Sequence, residues 1–371
     1  MYRMQAAIVG TGYMGSSHLD GLKRIDVLVR GVLGSSPQKG QGFASEYNLP
    51  KAYATFDELL SDPKVDVVHI CTPNRAHYPM AKAALEAGKH VVMEKPLTLN
   101  SIESADLLAL ARRTGLAAVV NHNLRFFPRT LQAHALTRAG DLGEIHLLQG
   151  GYCQDWLFPS ERWDWRLLPE IGGPTRVISD IGSHWLDITT WITGSEVVEL
   201  AARTAIFTPQ RVNPVTGIPL RVETEDAATV IAHYANGMLG TVTLSQSSPG
   251  RDNHFWFELT GAKSSLLWDQ EKPDELWSGK NEGGMSSWLM EDAPYTPEVK
   301  AILTLPDGQA SKFNDTFPVL YQMVYGALEK GNLPDDQIVP TFRDGHRGMV
   351  LVDAILEASK SQQWVKINQT W

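Results

Sequence analysis

The run Ala6-Ala7-Ile8-Val9 leads without a spacer into Gly10-Thr11-Gly12-Tyr13-Met14-Gly15. This junction of apolar strand, glycine-rich turn and helix constrains the chain more than any other segment. Gly10 lets the chain turn tightly after the strand, Gly12 lets backbone N–H groups approach an anion, and Gly15 lets the helix pack closely on the sheet. A dinucleotide pyrophosphate would sit at that helix N-terminus. A lone G-x-G-x-x-G is a weak signal, but here it opens the segment Met14–Leu22 and a second apolar strand, Val27–Leu33, follows, as the motif's mechanism requires.

The first third of the chain alternates strand and helix patterns. Strand-like runs fall at 6–9, 27–33, 65–71, 90–93 and 117–121, with helix-like runs at 38–47, 56–60, 76–87 and 101–113 between them. The expected fold class is therefore α/β, with an N-terminal parallel Rossmann sheet over residues 1–123. Beyond it, residues 124–371 read as a C-terminal α+β domain for substrate binding and oligomerisation. That domain starts with a helix at 128–139 and a strand at 144–154, then long strands with an antiparallel look. Glu225–Tyr234 and Met238–Ser247 flank Ala235-Asn236-Gly237, where Asn-Gly supplies the positive φ angles of a tight hairpin. Phe255–Thr260 and Ser264–Trp268 form a second hairpin, and helices follow at 317–329 and 344–361, the last of which can return to pack on the first domain. The segment Ser278–Thr296, rich in Gly, Ser and acids, is expected to be a mobile surface loop.

At 371 residues the chain has room for two cores. Its net charge of −9 argues against capture of nucleic acid or an anionic membrane, both of which need a basic face. The two cysteines, Cys71 and Cys153, have no C-x-x-C spacing, so neither a zinc site nor a disulfide framework is expected. No apolar run approaches the roughly 20 residues that span a bilayer, and no secretory signal pattern opens the chain. A cytoplasmic protein is expected.

Chemistry concentrates in four places. Glu94-Lys95-Pro96 stands at the carboxyl end of the fourth strand, where open parallel sheets bind ligands, and Pro96 holds Lys95 extended; the alternative is a surface lysine in a turn. Cys71-Thr72-Pro73-Asn74-Arg75-Ala76-His77 ends the third strand. Thr72 and Asn74 can hydrogen-bond a ribose or carboxamide, or Asn74 can simply cap the next helix. In the second domain, a helix starting at Asp180 would put its carboxylate and His184 on one face, with Asp187 a turn further on. A carboxylate beside histidine suits a general base for a hydroxyl; the alternative is Asp180 as an N-cap with His184 and Asp187 solvated. Finally, the chain has 11 tryptophans, and Trp156, Trp163 and Trp165 crowd one segment with Arg162 and Arg166. Aromatic faces beside planar donors and carboxylates suit a sugar ring, or the cluster closes the domain as core. Arg162 or Arg166 could also grip an anionic substituent.

Taken together, the motifs resemble the Gfo/Idh/MocA family of NAD(P)-dependent oxidoreductases, the glucose-fructose oxidoreductase and inositol dehydrogenase group. The resemblance rests on Gly10-x-Gly12-x-x-Gly15-x-x-His18, Cys71-Thr72-Pro73-Asn74-x-x-His77, Ala87-Gly88-Lys89-His90-Val91 leading to Glu94-Lys95-Pro96, Arg125-Phe126-x-Pro128, and Asp180-x-Gly182-x-His184-x-x-Asp187. It implies a Rossmann domain followed by a large, mostly antiparallel open sheet whose exposed face makes a homodimer or homotetramer. Lys95 would contact the reacting hydroxyl and the nicotinamide ribose, Asp180 would bind or orient, and His184 would shuttle the proton, with no metal. The cofactor set implied is Gly10, Gly12, Tyr13, Met14, Gly15, Gly34, Ser35, Ser36, Thr72, Pro73, Asn74, His77, Glu94, Lys95, Asn123 and Arg125. The substrate set is Lys95, Arg125, Trp156, Arg162, Trp163, Trp165, Arg166, Asp180 and His184. The expected reaction is hydride transfer from a secondary carbinol of a sugar, sugar derivative or inositol to nicotinamide. Transient oxidation at C3 that drives glycoside cleavage is the alternative, and a cofactor-binding sensor is the non-enzymatic one.

After the second strand, where NAD-specific relatives usually place an acid, this chain reads Leu33-Gly34-Ser35-Ser36-Pro37. No carboxylate repels a 2′-phosphate and no arginine embraces one, so either NAD or NADP is possible, with NAD slightly favoured. The KM for NAD should be the lower in the purified enzyme; a tenfold or larger preference for NADP would contradict this.

Overall fold

The computed structural model describes residues 2–280, 285–288, 295–303 and 312–371. The chain opens with β1 (Ala6–Val9), α1 (Tyr13–Arg24), β2 (Val29–Leu33), α2 (Pro37–Glu46), β3 (Ala52–Tyr53), α3 (Phe56–Leu60) and β4 (Val67–Ile70). It continues through α4 (His77–Glu86), β5 (His90–Met93), α5 (Ser101–Thr114), β6 (Ala118–Val120), α6 (Pro128–Arg138), β7 (Ile145–Cys153), α7 (Pro169–Gly172) and α8 (Ser183–Thr193). Strands β8 (Val197–Ala205), β9 (Gln210–Val212), β10 (Pro219–Arg221), β11 (Ala227–Tyr234), β12 (Leu239–Ser245), β13 (His254–Gly261), β14 (Ser264–Asp269), β15 (Leu276–Lys280) and β16 (Met285–Trp288) follow. Helices α9 (Pro297–Ile302), α10 (Thr316–Leu328) and α11 (Phe342–Ser361) and strand β17 (Val365–Lys366) complete it.

Two compact units result. The first comprises Met1–Phe126, Lys312–His346 and Trp371; the second comprises Phe127–Ser311 and Arg347–Thr370. Residues 312–346, which the sequence reading assigns to the second domain, therefore group with the first. The reason is apolar burial: Phe317, Tyr321, Val324 and Tyr325 of α10 are fully buried, and α10 lies so close to α1 that a Cβ on Gly21 would stand 2.8 Å from Phe317 Cβ.

In the first unit a six-stranded parallel sheet runs β3-β2-β1-β4-β5-β6. Strands β1 and β4 are buried along their whole length, as expected when helices cover both faces; β1 is wholly apolar, and β4 buries one polar residue, His69. The free edge of β6 is covered by residues 339–341, through an antiparallel bridge from Val119 to Thr341 and a hydrogen bond from Val120 N to the Pro340 carbonyl at 3.1 Å.

The second unit carries a nine-stranded sheet in the order β16-β15-β14-β13-β7-β12-β11-β8-β17. Burial alternates cleanly along β11 and β13, so one face packs on helices and the other faces outward. The sheet is antiparallel except at its centre, where β7 and β12 run parallel with Tyr152 opposite Leu244 and Cys153 opposite Ser245. The hairpin at Ala235-Asn236-Gly237 differs from expectation. Gly237 alone has positive φ, at +86°, and its N–H bonds the Tyr234 carbonyl at 2.9 Å, the three-residue arrangement of a type I turn followed by a left-handed glycine. The Asn236 side chain is engaged instead, accepting from the Ser195 hydroxyl at 2.9 Å. Of the segment 278–296 expected to be a mobile loop, 278–280 and 285–288 are strand, while 281–284 and 289–294 lie outside the described residues. Among the described residues no helix is long and apolar enough to cross a membrane.

Gly21→Ala should cost about 1–3 kcal/mol, because its Cβ would push into Phe317 and Tyr321. Chemical denaturation measures it; an unchanged midpoint would show that α10 is not held against α1.

Candidate functional site

The nucleotide half begins at the β1–α1 turn. Gly10 has φ +113°, and a Cβ there would stand 2.4 Å from the Cys71 carbonyl oxygen; one on Gly15 would stand 2.3 Å from the Gly10 carbonyl oxygen. These two glycines serve the fold. A Cβ on Gly12 meets nothing within 4 Å, so the space in front of α1 is open. No side chain caps Gly12 and no acid lies in the first turn, which leaves the N–H groups and the positive dipole end for an anion. Tyr13 is 66 % exposed beside this opening, with Met14 half-buried. Past β2, Ser36 accepts from Lys39 N at 3.3 Å and caps α2, while Ser35 stays exposed.

At the carboxyl edge of the same sheet the Lys95–Pro96 bond is cis. Lys95 is half-buried and Glu94 buried. His77 is fully buried and spans two loops, with Nδ1 2.8 Å from the Pro96 carbonyl and Nε2 2.9 Å from the Thr72 carbonyl. Burial pushes its pKa below the ordinary imidazole range, although both carbonyls favour the protonated ring. His77 thus fixes the Glu94-Lys95-Pro96 turn against the Thr72-Pro73-Asn74 loop; the expected cofactor contact is replaced by an internal one. Asn74 is buried and Pro73 exposed, and the buried Thr72 Oγ1 has no hydrogen-bond partner.

Asn123 and Arg125 also depart from expectation. Asn123 Nδ2 donates to Thr316 Oγ1 at 2.8 Å, and Arg125, 0 % exposed, donates to Asp344 Oδ1 at 2.9 Å and to the Ile338 carbonyl at 3.4 Å. Both are enclosed in the first unit, since a buried guanidinium needs a carboxylate and carbonyls around it. The open space at Gly12, the uncapped α1 N-terminus and the unpartnered Thr72 hydroxyl fit a dinucleotide.

In the second unit the helix does not begin at Asp180. Residues Ile178–Gly182 form a π-helical turn that runs into α8, and Asp180 N bonds the Arg176 carbonyl at 2.8 Å, so Asp180 is no cap. Such π turns recur at functional sites. Gly182 lets this turn lie against β12: a Cβ there would stand 2.6 Å from Leu244 Cδ1. His184 is 5 % and Asp187 2 % exposed, which excludes a solvated pair. Asp187 lies 3.9 Å from Arg347, and the Tyr152 ring lies 6.4 Å from that of His184.

Both oxygens of Asp180 are engaged. Arg166 Nε donates to Oδ1 at 3.2 Å and Gln246 Nε2 donates to Oδ2 at 2.8 Å. Arg166 also donates to Asp164 Oδ1 at 3.2 Å, and its guanidinium lies 4.4 Å from the Trp165 ring and 5.9 Å from the Trp156 ring. Burial opposes its charge, but Asp180 and Asp164 outweigh burial and keep it firmly cationic. Arg166 is thus committed to carboxylates of its own chain and is not the anion grip expected. Gln246 further donates to Gln154 Oε1 at 3.3 Å, which also accepts from Trp156 Nε1 at 2.9 Å. Gln154 Nε2 and the Tyr152 hydroxyl both donate to Asn253 Oδ1, at 2.8 and 3.0 Å. Burial and the nearby Asp180 raise the Tyr152 phenol well above its ordinary value. Trp163 is half-buried and Arg162 exposed; the Arg162 carbonyl is held by Arg211, whose guanidinium also binds the Leu157 and Pro159 carbonyls.

Sequence reading missed Gln246, Tyr152, Asn253 and Arg211. Gln246 comes to Gln154 through the parallel β7–β12 pairing, Asn253 comes to Tyr152 and Gln154 beside the antiparallel β7–β13 pairing, and Arg211 stands on β9 of a separate two-stranded sheet, so no local pattern marks them. Among the described residues, His254, Asp269 and Glu271 come within ion-binding reach of one another, but His254 pairs with Asp269 at 3.3 Å and Glu271 with Arg251.

A parallel sheet with an open glycine turn, and a mixed sheet with a buried polar network at one end, define a two-unit oxidoreductase architecture. The family model described as "Oxidoreductase family, NAD-binding Rossmann fold" matches residues 4–122, and the GFO/IDH/MocA C-terminal domain model matches residues 130–267. The chain belongs to the GFO/IDH/MocA family of oxidoreductases and carries its NAD-binding Rossmann domain. It is 25 % identical to levoglucosan dehydrogenase of Pseudarthrobacter phenanthrenivorans over 397 aligned positions, covering 100 % of this chain and 99 % of that one. It is 30 % identical to an oxidoreductase of Synechocystis over 271 positions, 71 % of each chain. The structure of levoglucosan dehydrogenase in complex with NADH and L-sorbose superposes with a TM-score of 0.92 at 25 % identity, covering 99 % of both chains.

Gly12→Ala should leave the melting temperature unchanged while weakening NAD binding about tenfold, equivalent to about 1.4 kcal/mol; Gly15→Ala should lower the melting temperature. Calorimetric titration and thermal melts separate the two, and equal loss of stability in both would contradict the assignment.

Proposed function

We propose that the protein is an NAD-dependent dehydrogenase that oxidises a secondary hydroxyl of a sugar, sugar derivative or inositol. The observation that carries this reading is the Asp180 network: a carboxylate with both oxygens fixed by Arg166 and Gln246, the arginine lying beside Trp156 and Trp165, on the turn that runs into the helix of the buried His184. Fixed acceptors beside aromatic faces suit a ligand with hydroxyls on an apolar ring frame. The 25 % identity to levoglucosan dehydrogenase across the whole chain supports the same class.

In this reading the α1 N-terminus, the Ser35–Ser36 turn and the Thr72–Asn74 loop hold the dinucleotide. Nicotinamide, when bound, supplies a hydride acceptor. Lys95 carries a positive charge to the sheet's carboxyl edge and stabilises the alkoxide as it develops. His184 takes the hydroxyl proton as general base. Asp180 orients the substrate and supports the imidazolium. Trp156, pinned through Gln154, offers its face to the ring. The outward sheet face, with Ile231 at 42 % and Leu239 at 38 % exposure, makes a homodimer or homotetramer.

The test is purified protein with NAD and a panel of sugars, inositols, sugar acids and aryl glycosides, following the reduced nicotinamide band and aglycone release together. Reduced cofactor with a free sugar or polyol is the expected result. Aglycone release without net reduction would replace this reading by oxidation-driven glycoside cleavage. On the substrate found, Lys95→Ala should abolish turnover while NAD binding stays measurable; undiminished turnover would remove Lys95 from the mechanism.

A further inference from the structure

The first unit contains a buried chain of titratable side chains that the reaction above does not employ. Tyr325 Oη on α10 lies 2.9 Å from His69 Nε2 on β4, His69 Nδ1 lies 3.0 Å from His18 Nδ1 on α1, and His18 Nε2 lies 3.0 Å from Glu94 Oε1. Asn121, just past β6, donates Nδ2 to the same oxygen at 2.6 Å. His18, His69 and Tyr325 are 0 % exposed and Glu94 5 %. Phe317 and Tyr321 pack against the rings.

Counting donors assigns the hydrogens. A carboxylate only accepts, so His18 Nε2 carries a hydrogen. A further proton on His18 would put two cations, with Lys95, against one buried carboxylate, which is costly without a second anion. Neutral His18 therefore presents a bare Nδ1 that accepts from His69 Nδ1–H. His69 Nε2 is then bare and accepts from the Tyr325 hydroxyl. Every bond points toward Glu94. Burial holds His69 well below the ordinary imidazole range, so that ring stays neutral. Burial pushes Glu94 up, but the hydrogen bonds from His18 and Asn121 and the charge of Lys95 oppose it, and the carboxyl lies below its usual range. The other groups that feel this charge are Cys71 and Tyr321, both pushed well up chiefly by burial with Glu94 contributing, and His77, where Glu94 favours the protonated ring against burial; Asp66 acts likewise on Tyr325, which burial already pushes up.

We propose that His18, His69 and Tyr325 are positioning residues for Lys95: they present one fixed donor to Glu94, which stays ionised beside Lys95 and anchors the strand end that carries it. This rests on the reading of Lys95 as a catalytic residue. Losing the donor raises the proton affinity of Glu94, removes the anion next to Lys95 and moves the acid limb of the kcat profile to higher pH.

Two measurements test it. His18→Gln keeps an N–H where Nε2 stands, whereas His18→Leu does not. The glutamine variant should retain kcat within about threefold, and the leucine variant should lose about tenfold or more with its acid limb displaced upward, the scale of one lost hydrogen bond to a buried charge. The Kd for NAD should hold in both. Equal loss in the two variants, or none in His18→Leu, overturns the proposal. Independently, 15N imidazole spectra of the unaltered protein, assigned through His18→Gln, should show His18 as the Nε2–H tautomer and His69 as the Nδ1–H tautomer. An imidazolium at His18, or the same tautomer in both rings, overturns it even where His18→Leu fails to fold. Should Lys95→Ala keep its turnover, the reading of Lys95 fails while the tautomers stay as they are, so the two failures are distinguishable.

Discussion

Close approach of backbone to neighbouring atoms, allowed only where a Cβ is missing, is the constraint on which both units depend. In the first, Gly10 and Gly15 bring the β1–α1 turn against the Cys71 carbonyl and against itself. In the second, Gly182 brings the π turn onto Leu244, and Gly150 makes room for the Trp185 indole, whose Nε1 donates to the Trp256 carbonyl at 3.2 Å. The two contacts place, respectively, an uncapped helix end and the turn that bears Asp180. A single added carbon at any of these positions would displace an element that carries a functional group.

The second unit's chemistry follows from one further choice, the parallel pairing of β7 with β12. Two strands that leave the sheet on the same edge set Gln154 and Gln246 side by side, Gln154 N bonding the Ser245 carbonyl at 2.8 Å. Antiparallel pairing would have sent them to opposite ends. The glutamines then fix Asp180 and Trp156 without spending any charge, while Arg166 supplies the positive charge the carboxylate needs. A carboxylate held at both oxygens is rigid, and a rigid acceptor is what orienting a hydroxyl demands.

Much of the first unit was legible because its signals are local. Apolar runs announced β1 and most of β4 and β5, and the glycine turn announced its own geometry. The short β3, the outlying β8 and β17 and the return of 312–346 to the first unit were not legible, because they are decided by partners distant in sequence. The same holds at the site. Asp180, His184 and Lys95 could be picked out by motif, but the π turn under Asp180, the burial of Arg125 against Asp344 and the commitment of Arg166 to two carboxylates depend on contacts that no local pattern reveals.

The most direct test of the account is the fate of the hydrogen on the reacting carbon. With the substrate deuterated at that carbon, the account predicts deuterium in the reduced nicotinamide, one per oxidised molecule, and a slowed turnover. Oxidised product accompanied by unlabelled reduced cofactor would contradict hydride transfer from that carbon and, with it, the roles given to Lys95 and His184.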